Sequence, residues 1–332
     1  MKKLSNQIKF MNKFKNKRIL VTGADGFIGS HLTEKLLSMG AKVSIFVRGN
    51  SVNGTSQYTL RNLKKIKKKL ESIITGNIGS FDAKKLILDE KPDYIFHLAA
   101  DAYVPNSFNH PLEVMETNLL GTINVLECLR TSSKIKQAVF TSSSEIYGLT
   151  LGKSINESHP LFPSSPYAAS KLAADRYCYS YINTYKLPVS VIRPFNTFGP
   201  RHTYDVIPKF IDLALKNKPL TIYGDGKQAR DFTYVDDMVN AFLIMGSNKK
   251  AISKFVNFGT GKSHSIINTA KLIVKISNSK SKIIFVKKRL AEVPNLVCNY
   301  NLAKKLFKWK PKTKFENGLA KNIEWSKKNL KM

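Results

Sequence analysis

The sequence has few of the residues that cross-link small proteins or bind metals. It contains only three cysteines, Cys128, Cys178 and Cys298, which are far apart and fit no metal-binding spacing. We therefore expect buried thiols in a reducing compartment and no metal site. No apolar run is long enough to span a membrane, and residues 1–16 lack the apolar core of a signal peptide. These absences predict a cytoplasmic protein with no membrane partner, in which residues 1–16 form a flexible basic extension.

Acidic residues are also scarce, with 23 Asp and Glu against 54 Lys and Arg, so the formal net charge is +31. Such a charge is typical of proteins that bind nucleic acids or anionic surfaces. Here the lysines are spread along the chain, and the densest run, at 64–69, is predicted to lie on a solvated helix. No zinc finger, helix-turn-helix or aromatic-interleaved basic motif occurs. We therefore predict no nucleic-acid partner and interpret the charge as bulk lysine usage that mildly favours phosphate-bearing substrates.

A glycine-rich turn lies between a predicted strand at 18–22 and a predicted helix at 30–39. Its first glycine permits a tight turn, the second lets the backbone approach a pyrophosphate, and the third allows close packing of helix on strand. The free N–H groups at the start of the helix suit phosphate oxygens. The motif therefore predicts a dinucleotide site made by Gly23, Gly26, Phe27, Ile28 and Gly29.

A tyrosine and a lysine four residues apart form the second chemical motif. On a helix, Tyr167 and Lys171 share one face, about one turn apart. A lysine ammonium beside a phenol favours the phenolate, so Tyr167 can act as a base near neutral pH. The same spacing also occurs by chance on solvated helix faces. An upstream serine run at 142–144 adds a hydroxyl that could hold the reacting oxygen.

Predicted strands and helices alternate through the N-terminal half of the chain. Apolar runs of strand length predict strands at 18–22, 42–47, 73–75, 94–98, 138–141 and 189–193. Helical periodicity predicts helices at 30–39, 82–90, 112–131 and 167–185. This alternation is typical of an α/β fold with a doubly wound parallel sheet. After residue 194 the segments are shorter, and no linker separates the two halves. We therefore expect closely packed lobes with the site in the cleft between them.

Together these motifs resemble the extended short-chain dehydrogenase/reductases that act on nucleotide sugars. The resemblance runs from about residue 17 to 319 and rests on motifs that occur in the family's order: Gly23-x-x-Gly26-x-x-Gly29, His97-Leu-Ala-Ala100, Glu116-Thr-Asn118, Gly121-Thr, the Ser/Tyr/Lys set, Arg193-Pro-Phe-Asn196-Thr-Phe-Gly-Pro200-Arg201 and Arg230-Asp-Phe-Thr-Tyr-Val-Asp236-Asp237. It implies a Rossmann NAD(P)-binding domain at 17–193. It also implies a smaller C-terminal α/β domain at 194–332 that mainly binds substrate, with part of it returning to the sheet. The family's homodimer pairs the helices at 112–131 and 167–185.

The resemblance also implies roles for the catalytic residues. Tyr167 is the general base and acid, Lys171 is its partner, and Ser143 hydrogen-bonds the substrate oxygen. Dehydratases of the family have an acidic residue at the position of Glu145, whereas many 4-epimerases have a small or neutral one. A glutamate there can remove the C5 proton once C4 is a ketone. Alternatively, Glu145 is a solvated or salt-bridged loop residue.

The residue before Glu145 differs among the family's dehydratases. Those acting on dTDP-glucose have Asp-Glu, while Ser144-Glu145 is closer to the Ser-Glu of the enzymes acting on GDP-mannose. This difference leaves the acid for loss of the C6 hydroxyl unassigned, with Ser144 among the catalytic candidates. Some decarboxylases also have a glutamate at this position.

The expected cofactor is NAD or NADP, tightly bound and recycled in each turnover. An acidic residue at the end of the second strand would bind the 2′-hydroxyl of NAD, but Arg48 stands there and can pair with the 2′-phosphate of NADP. The family's aspartate near the adenine is replaced by Asn77. The remaining cofactor contacts implied by the family are Ile78, Ala99 and Ala100, together with Tyr167 and Lys171. We interpret His97, in the adjoining strand, as a packed core histidine.

Four residues match family positions near the diphosphate of the substrate: Asn196, Arg201, Arg230 and Arg289. Arginine suits a diphosphate because it can form paired hydrogen bonds. The sequence thus predicts a nucleotide-sugar 4,6-dehydratase, with a 4-epimerase as the alternative. A UDP-glucuronate-type decarboxylase or a catalytically silent nucleotide-binding protein is a weaker alternative. Neither the nucleotide base nor the sugar can be read from the sequence.

Overall fold

The computed structural model describes residues 13–48, 50–52, 55–57, 60–148, 154–287 and 293–329. In chain order its strands are β1 (Arg18–Thr22), β2 (Lys42–Val47), β3 (Asn50–Val52), β4 (Thr55–Gln57), β5 (Ser72–Thr75), β6 (Tyr94–His97), β7 (Gln137–Thr141), β8 (Val189–Pro194), β9 (Thr197–Phe198), β10 (Leu220–Tyr223), β11 (Ala229–Arg230), β12 (Thr233–Tyr234), β13 (Phe255–Phe258), β14 (His264–Ser265), β15 (Ile283–Val286) and β16 (Asn295–Leu296).

The helices are α1 (Phe27–Ser38), α2 (Ala83–Asp89), α3 (Asn106–Asn109), α4 (Pro111–Met115), α5 (Gly121–Thr131), α6 (Pro166–Tyr185), α7 (Val206–Leu215), α8 (Val235–Ser247), α9 (Ile266–Ser277), α10 (Asn301–Phe307) and α11 (Phe315–Asn329). Short 3-10 turns lie at Lys64–Lys69, Ser144–Tyr147 and Lys249–Ala251. The lysine-rich run is solvent-exposed, as expected, but it forms a 3-10 turn and not an α-helix.

A seven-stranded sheet forms the centre of the molecule, in the order β13-β8-β7-β6-β1-β2-β5. All of its strand pairs are parallel. The chain runs outward in one direction from β1 to β5 and in the other from β6 to β13, so the strand order reverses between β1 and β6. In such sheets ligands bind at this reversal, beyond the carboxyl ends of the strands. The structure therefore confirms the predicted α/β Rossmann architecture and locates its binding crevice.

The C-terminal part builds small sheets around the crevice and returns one strand, β13, to the central sheet. β10 pairs with β15, β11 lies between β14 and β16, and β12 pairs with β9. Helix α8 packs on α1 and on strands of the central sheet. One hydrophobic cluster contains buried side chains of both parts, from Val21 to Ile323. The two lobes are thus closely packed, as the absence of a linker predicted.

The helix predicted at 112–131 is interrupted. Helix α4 ends at Met115, a π-helical turn covers Glu116–Leu120, and α5 begins at Gly121. The periodicity of apolar residues does not reveal such a turn. One extra residue in a single turn changes the spacing of the apolar residues too little to be recognised in the sequence. π-turns within helices occur frequently at functional sites. Here the turn carries Asn118, which is buried.

The predicted extension at 1–16 is wrong at its C-terminal end. Phe14 is fully buried and packs edge-on against Tyr94 and Phe96, at 5.5 and 5.8 Å between ring centroids. The Asn16 backbone nitrogen also donates to the Gly40 carbonyl, at 2.8 Å. The folded chain therefore begins no later than residue 13, and residues 1–12 lie outside the described residues. The basic composition of the segment gave no indication that Phe14 anchors its described end.

The predicted thiols are confirmed as buried and free at Cys128, Cys178 and Cys298. Within the described ranges, no helix is long and apolar enough to cross a membrane. In the same part of the chain, no group of three or more His, Cys, Asp or Glu side chains is arranged to hold a metal ion.

The contribution of Phe14 can be tested by truncation. Phe14→Ala should lower the free energy of unfolding by about 3–5 kcal/mol, because it leaves a cavity between the segment and the sheet. Phe81 is 99% exposed, so Phe81→Ala is the matched control and should change little. Urea unfolding of both variants measures the difference. Equal stability of the two variants would show that residues 13–16 do not anchor the fold.

Candidate active site

The glycine turn has the geometry that a dinucleotide needs. Gly23 has φ +66°, and a Cβ there would lie 2.7 Å from the Ala99 backbone nitrogen. A Cβ on Gly29 would lie 2.2 Å from the Gly23 carbonyl oxygen. Gly26 caps α1 without a side-chain hydrogen bond, so the first N–H groups of the helix stay available. These close approaches explain why only glycine fits, and the residues present fit a bound pyrophosphate.

A cleft opens directly from this turn. It is lined by most of the predicted cofactor residues, namely Gly23, Gly26, Phe27, Arg48, Asn77, Ile78, Ala99 and Ala100. Ile28 instead packs against the hydrophobic core, and Gly29 is buried under the turn. The lining also contains residues that the sequence did not single out, among them Arg61, Asp101 and Tyr204.

Two arginines lie in the lining of the cleft, Arg48 after β2 and Arg61 from the following segment. The Asp25 carboxylate fixes the second of these by accepting from the backbone nitrogens of Arg61, Asn62 and Leu63, at 2.7, 2.9 and 2.9 Å. Arg61 has no recognisable motif around it. The sequence signal that could have indicated this contact is the position of Asp25 inside the glycine turn. From there its carboxylate reaches the segment that carries Arg61.

Asn77 uses its side chain to shape the cleft. Its amide nitrogen donates to the Glu116 carboxylate at 2.7 Å, and its amide oxygen accepts from the Gly79 nitrogen at 3.1 Å. An aspartate could not donate to Glu116. The asparagine is therefore matched to the glutamate of the π-turn.

His97 is a core residue, as predicted. Its Nδ1 and Nε2 lie 2.8 and 3.2 Å from the hydroxyls of Thr22 and Thr122. Burial, together with the charge of Lys171, lowers the pKa of His97 to about 3. The ring is therefore neutral, and it links β1 to α5.

Ser143 and Tyr167 come together from two different elements. Ser143 follows β7 and caps the 3-10 turn at Ser144–Tyr147 by accepting from the Glu145 nitrogen at 3.2 Å. The phenol of Tyr167, in the first turn of α6, lies close enough to the Ser143 hydroxyl for that hydroxyl to lower its pKa. Ser144 is buried on the same turn. The Ser142 hydroxyl, next in the chain, is buried without a partner among the described residues.

The electrostatics of Tyr167 differ from the prediction. Burial raises the pKa of Tyr167 above its ordinary value, the Ser143 hydrogen bond opposes this, and Tyr204 and Glu145 raise it further. The Lys171 ammonium donates to the Thr141 carbonyl. The protein alone therefore favours the neutral phenol, because the lysine charge is directed to the end of β7. A phenolate at neutral pH requires further positive charge in the cleft.

Lys171 itself is almost fully buried. Burial lowers the pKa of Lys171 to about 8, an effect partly offset by Cys178 and Asp175. The ammonium charge is thus maintained near neutral pH at a cost to the fold. This finding excludes a solvated helix face for the Tyr-x-x-x-Lys pair.

Glu145 lies close enough to Tyr167 to act on it electrostatically. Burial raises the pKa of its carboxyl, Arg230 lowers it, and Asp205 raises it. The side chain is half-buried, and among the described residues no lysine or arginine forms an ion pair with it. Glu145 is therefore neither fully solvated nor paired with a described cation, and its catalytic role stays a prediction.

The four predicted substrate residues have different environments, and Arg201 is described separately below. The Asn196 amide oxygen is buried and has no partner within the described ranges. The Arg230 guanidinium donates to the carbonyls of Ala229 and Val293, at 2.9 and 2.8 Å, and its charge reaches Glu145. Arg289 lies outside the described residues.

Arg201 has a different environment from the one predicted. Its guanidinium donates to both carboxylate oxygens of Glu34 on α1, at 2.8 and 2.9 Å, and its side chain lines the dinucleotide cleft. The backbone has φ +72° at this residue. Arg201 therefore belongs to the cofactor side of the site, because the loop folds back over α1.

The loop after Arg201 covers the site, and sequence reasoning missed it. The His202 ring stacks on Phe27 at 4.5 Å between ring centroids, and its Nε2 lies 3.2 Å from the Asp205 carboxylate. Tyr204 lines the cleft, and both Tyr204 and Asp205 act electrostatically on Tyr167. No sequence signal pointed to these side chains, since loop contacts of this kind have no periodicity.

Comparisons with known proteins agree with this geometry. A family model described as GDP-mannose 4,6 dehydratase matches residues 20–322. UDP-glucuronic acid decarboxylase 1 of Xenopus tropicalis is 34% identical over 335 residues, which cover 97% of this chain and 75% of that protein.

Solved structures are similar over almost the whole chain. A UDP-glucose 4-epimerase from Thermotoga maritima, solved with UDP-glucose, has a TM-score of 0.84 and 29% identity, covering 95% of this chain and 100% of its own. A dTDP-glucose 4,6-dehydratase from Bacillus anthracis, solved with NAD, has a TM-score of 0.82 and 30% identity, covering 95% and 97%.

The chain belongs to the extended short-chain dehydrogenase/reductase family of nucleotide-sugar dehydratases and epimerases. It is an enzyme of this family, and its cofactor is NAD or NADP. The relatives catalyse dehydration, epimerisation and decarboxylation, so membership leaves the reaction of this chain open.

The buried charge of Lys171 makes a prediction about stability. Below about pH 8 the folded protein holds a charged lysine whose pKa lies below its ordinary 10.5, which costs roughly 3 kcal/mol. As the pH rises above 8 the folded protein loses this proton before the unfolded chain does, so stability increases. Lys171→Met should therefore be more stable than wild type near neutral pH, and this advantage should disappear toward pH 10.

Urea unfolding across this pH range measures the effect, with the exposed Lys69→Met as the matched control. The control should track wild type at every pH. A Lys171→Met advantage that does not change with pH would contradict a charged, buried lysine.

Proposed function

We propose that the protein is a nucleotide-sugar 4,6-dehydratase that oxidises C4, eliminates water across C5–C6 and returns the hydride to C6. The observation that supports this most is the half-buried Glu145 carboxyl, which interacts electrostatically with Tyr167 and Arg230 and forms no ion pair with a described residue. Burying a carboxyl without an ion pair is costly. Such a cost is typical of a group kept for chemistry.

Oxidation of C4 requires a base at the C4 hydroxyl. Tyr167 and Ser143 are neighbouring hydroxyls that can together hold this oxygen, and Tyr167 can take its proton. The glycine turn and the cleft that opens from it would hold NAD or NADP, which would supply positive charge and a reversible hydride acceptor beside the sugar. Lys171 keeps its ammonium on the Thr141 carbonyl and so holds α6 against β7.

Elimination requires a base at C5. A ketone at C4 acidifies the C5 proton, and a carboxylate whose pKa is raised by burial is a stronger base than one in water. After taking the proton, Glu145 is a carboxylic acid that can protonate the departing C6 hydroxyl, so that water leaves. When hydride is then added at C6, C5 takes a proton from solvent. Ser144 is its buried neighbour on the same turn and provides a hydroxyl for this transfer. Epimerisation at C4 needs no such base, and this difference separates the two activities.

We propose a nucleotide-diphosphate sugar as the substrate, as for the relatives. Arg230 offers a guanidinium at the pocket, and the unpartnered Asn196 amide oxygen offers an acceptor for a donor group of the ligand. The net charge of +31 favours the approach of an anionic substrate. The nucleotide base and the sugar stay open.

We also propose a homodimer through the face formed by α4 to α6. Large apolar or aromatic side chains are exposed there at Leu112, Met115, Leu120, Tyr177 and Tyr185, with exposed fractions from 40 to 74%. Exposed apolar residues on neighbouring helices mark a surface that another subunit can cover. This agrees with the helix pairing that the family resemblance implied.

The dehydratase assignment predicts a distinct phenotype for Glu145→Gln. The amide keeps the shape of the side chain but cannot take the C5 proton. Water loss should fall by about 10²–10⁴-fold, while C4 oxidation continues and reduced cofactor accumulates. Tyr167→Phe is the matched control, since it should block oxidation itself and leave the cofactor oxidised.

Turnover in deuterated water provides an independent readout of the same step. Wild-type enzyme should place deuterium at C5 of the product, as measured by mass spectrometry. Two results together would contradict the dehydratase assignment and favour the epimerase: full activity of Glu145→Gln, and no deuterium in the wild-type product.

The arginines of the cleft predict the choice of cofactor. Because Arg48 and Arg61 both line its wall, we expect NADP to bind at least as tightly as NAD. Arg48→Ala should weaken NADP binding by about tenfold or more and leave NAD binding nearly unchanged. Calorimetric titration of the cofactor-free protein measures both. Much tighter binding of NAD, with a preference unaffected by Arg48→Ala, would contradict this expectation.

A further inference from the structure

A buried arginine, Arg193, lies between the elements that carry the candidate catalytic side chains. We propose that Arg193 is a positioning residue that fixes the turn of Glu145 relative to the helix of Tyr167 and Lys171. The proposal rests on the proposed dehydratase function, because it assumes that the turn at Ser144–Tyr147 carries the base for water loss. Arg193 is 2% exposed and contacts neither substrate nor cofactor in this role.

On the helix side, Arg193 holds Asp175 of α6. Its Nε donates to Asp175 Oδ2 and its Nη2 to Oδ1, each at 2.9 Å. Asp175 lies four residues after Lys171, one turn further along the same helix face. Burial would raise the pKa of Asp175, but the hydrogen bonds and charges of Arg193 and Arg176 keep it below its ordinary value. The pair is therefore ionic, and its two parallel hydrogen bonds restrict both distance and angle.

On the turn side, the same guanidinium holds Tyr147. Arg193 Nη1 donates to the Tyr147 hydroxyl at 2.9 Å, and this hydroxyl donates to Asn257 Oδ1 of β13 at 2.7 Å. Tyr147 is fully buried and ends the 3-10 turn that carries Glu145. The Tyr147 hydroxyl is therefore held on both sides, by Arg193 and by Asn257, and a shift of Arg193 would move the turn.

The network also reaches the segment before α6. The Asn257 backbone nitrogen donates to the Glu157 carboxylate at 2.8 Å, and its side-chain nitrogen donates to the Ile155 carbonyl at 3.1 Å. Arg193 is followed directly by the residues that lead to Asn196. One guanidinium thus joins the helix, the turn and the strand that leads to the substrate side.

Lysine cannot replace this arginine without loss. Its ammonium is a single point charge and cannot form the planar fork to Asp175 while it donates to Tyr147. Misplacement of a catalytic group by about 1 Å can cost about 10²-fold in rate. Arg193→Lys should therefore slow both C4 oxidation and water loss by about tenfold or more.

Tyr147→Phe separates the two sides of the network. It removes the hydroxyl that connects Arg193 to the turn, but it leaves the Asp175 pair intact. We expect water loss to fall by about tenfold or more, while the rate of cofactor reduction in the first turnover stays within about threefold. Reduced cofactor should then accumulate. The ratio of the two rates in one sample does not depend on how much of the variant is folded.

Tyr94→Phe is the matched control, because Tyr94 is a buried tyrosine at the amino end of β6. The candidate site lies beyond the carboxyl ends of the strands. Its ratio of rates should equal that of wild type. The proposal is overturned if folded Tyr147→Phe has the wild-type ratio, or if Arg193→Lys retains wild-type rates. The mass of the wild-type product tests the dehydratase function separately. A product with the mass of its substrate would contradict that function, whatever the two variants show.

Discussion

Parallel hydrogen bonding across the central sheet forces the carboxyl ends of β1, β6, β7 and β8 to the same edge. The polar residues at those ends are joined to one another and to the helices above them. Thr22 contacts His97, the Thr141 hydroxyl donates to the His97 carbonyl, and the Thr141 carbonyl accepts from Lys171. Thr22, His97 and Lys171 are buried and therefore need partners, and these hydrogen bonds hold the helices against the edge. The candidate site occupies that edge because the fold brings its polar groups there.

The same edge concentrates ionisable groups away from water. Burial opposes the charge of Lys171, Glu145 and Tyr167, and the effects differ in sign, lowering the pKa of the lysine and raising those of the two acids. The protein therefore holds three ionisable groups with shifted pKa values in this part of the molecule, at a cost in stability. Such costs are typical of sites shaped for catalysis. The fold compensates through one contiguous core that extends from the sheet into the C-terminal lobe.

Local patterns predicted the features that local physics controls. β1 and β2 have the predicted bounds, and the glycine turn has the predicted geometry, because apolar runs and glycine spacing act over a few residues. Features set by distant contacts were predicted less well. Phe14 packs on β6, Arg201 turns toward Glu34, and Lys171 donates to β7, and none of these partners is near in sequence. The hydrogen bonds of Arg193 were not predicted for the same reason, because its partners lie on separate elements that are distant in the sequence.

Family membership and the glycine turn establish an NAD(P)-dependent enzyme, while the dehydratase reaction depends on Glu145. The most direct test incubates purified protein with UDP-, GDP-, dTDP- and CDP-sugars and follows the product mass. The account predicts that at least one substrate loses the mass of one water without net consumption of cofactor. A product with the mass of its substrate, or one that has lost carbon dioxide, would contradict it.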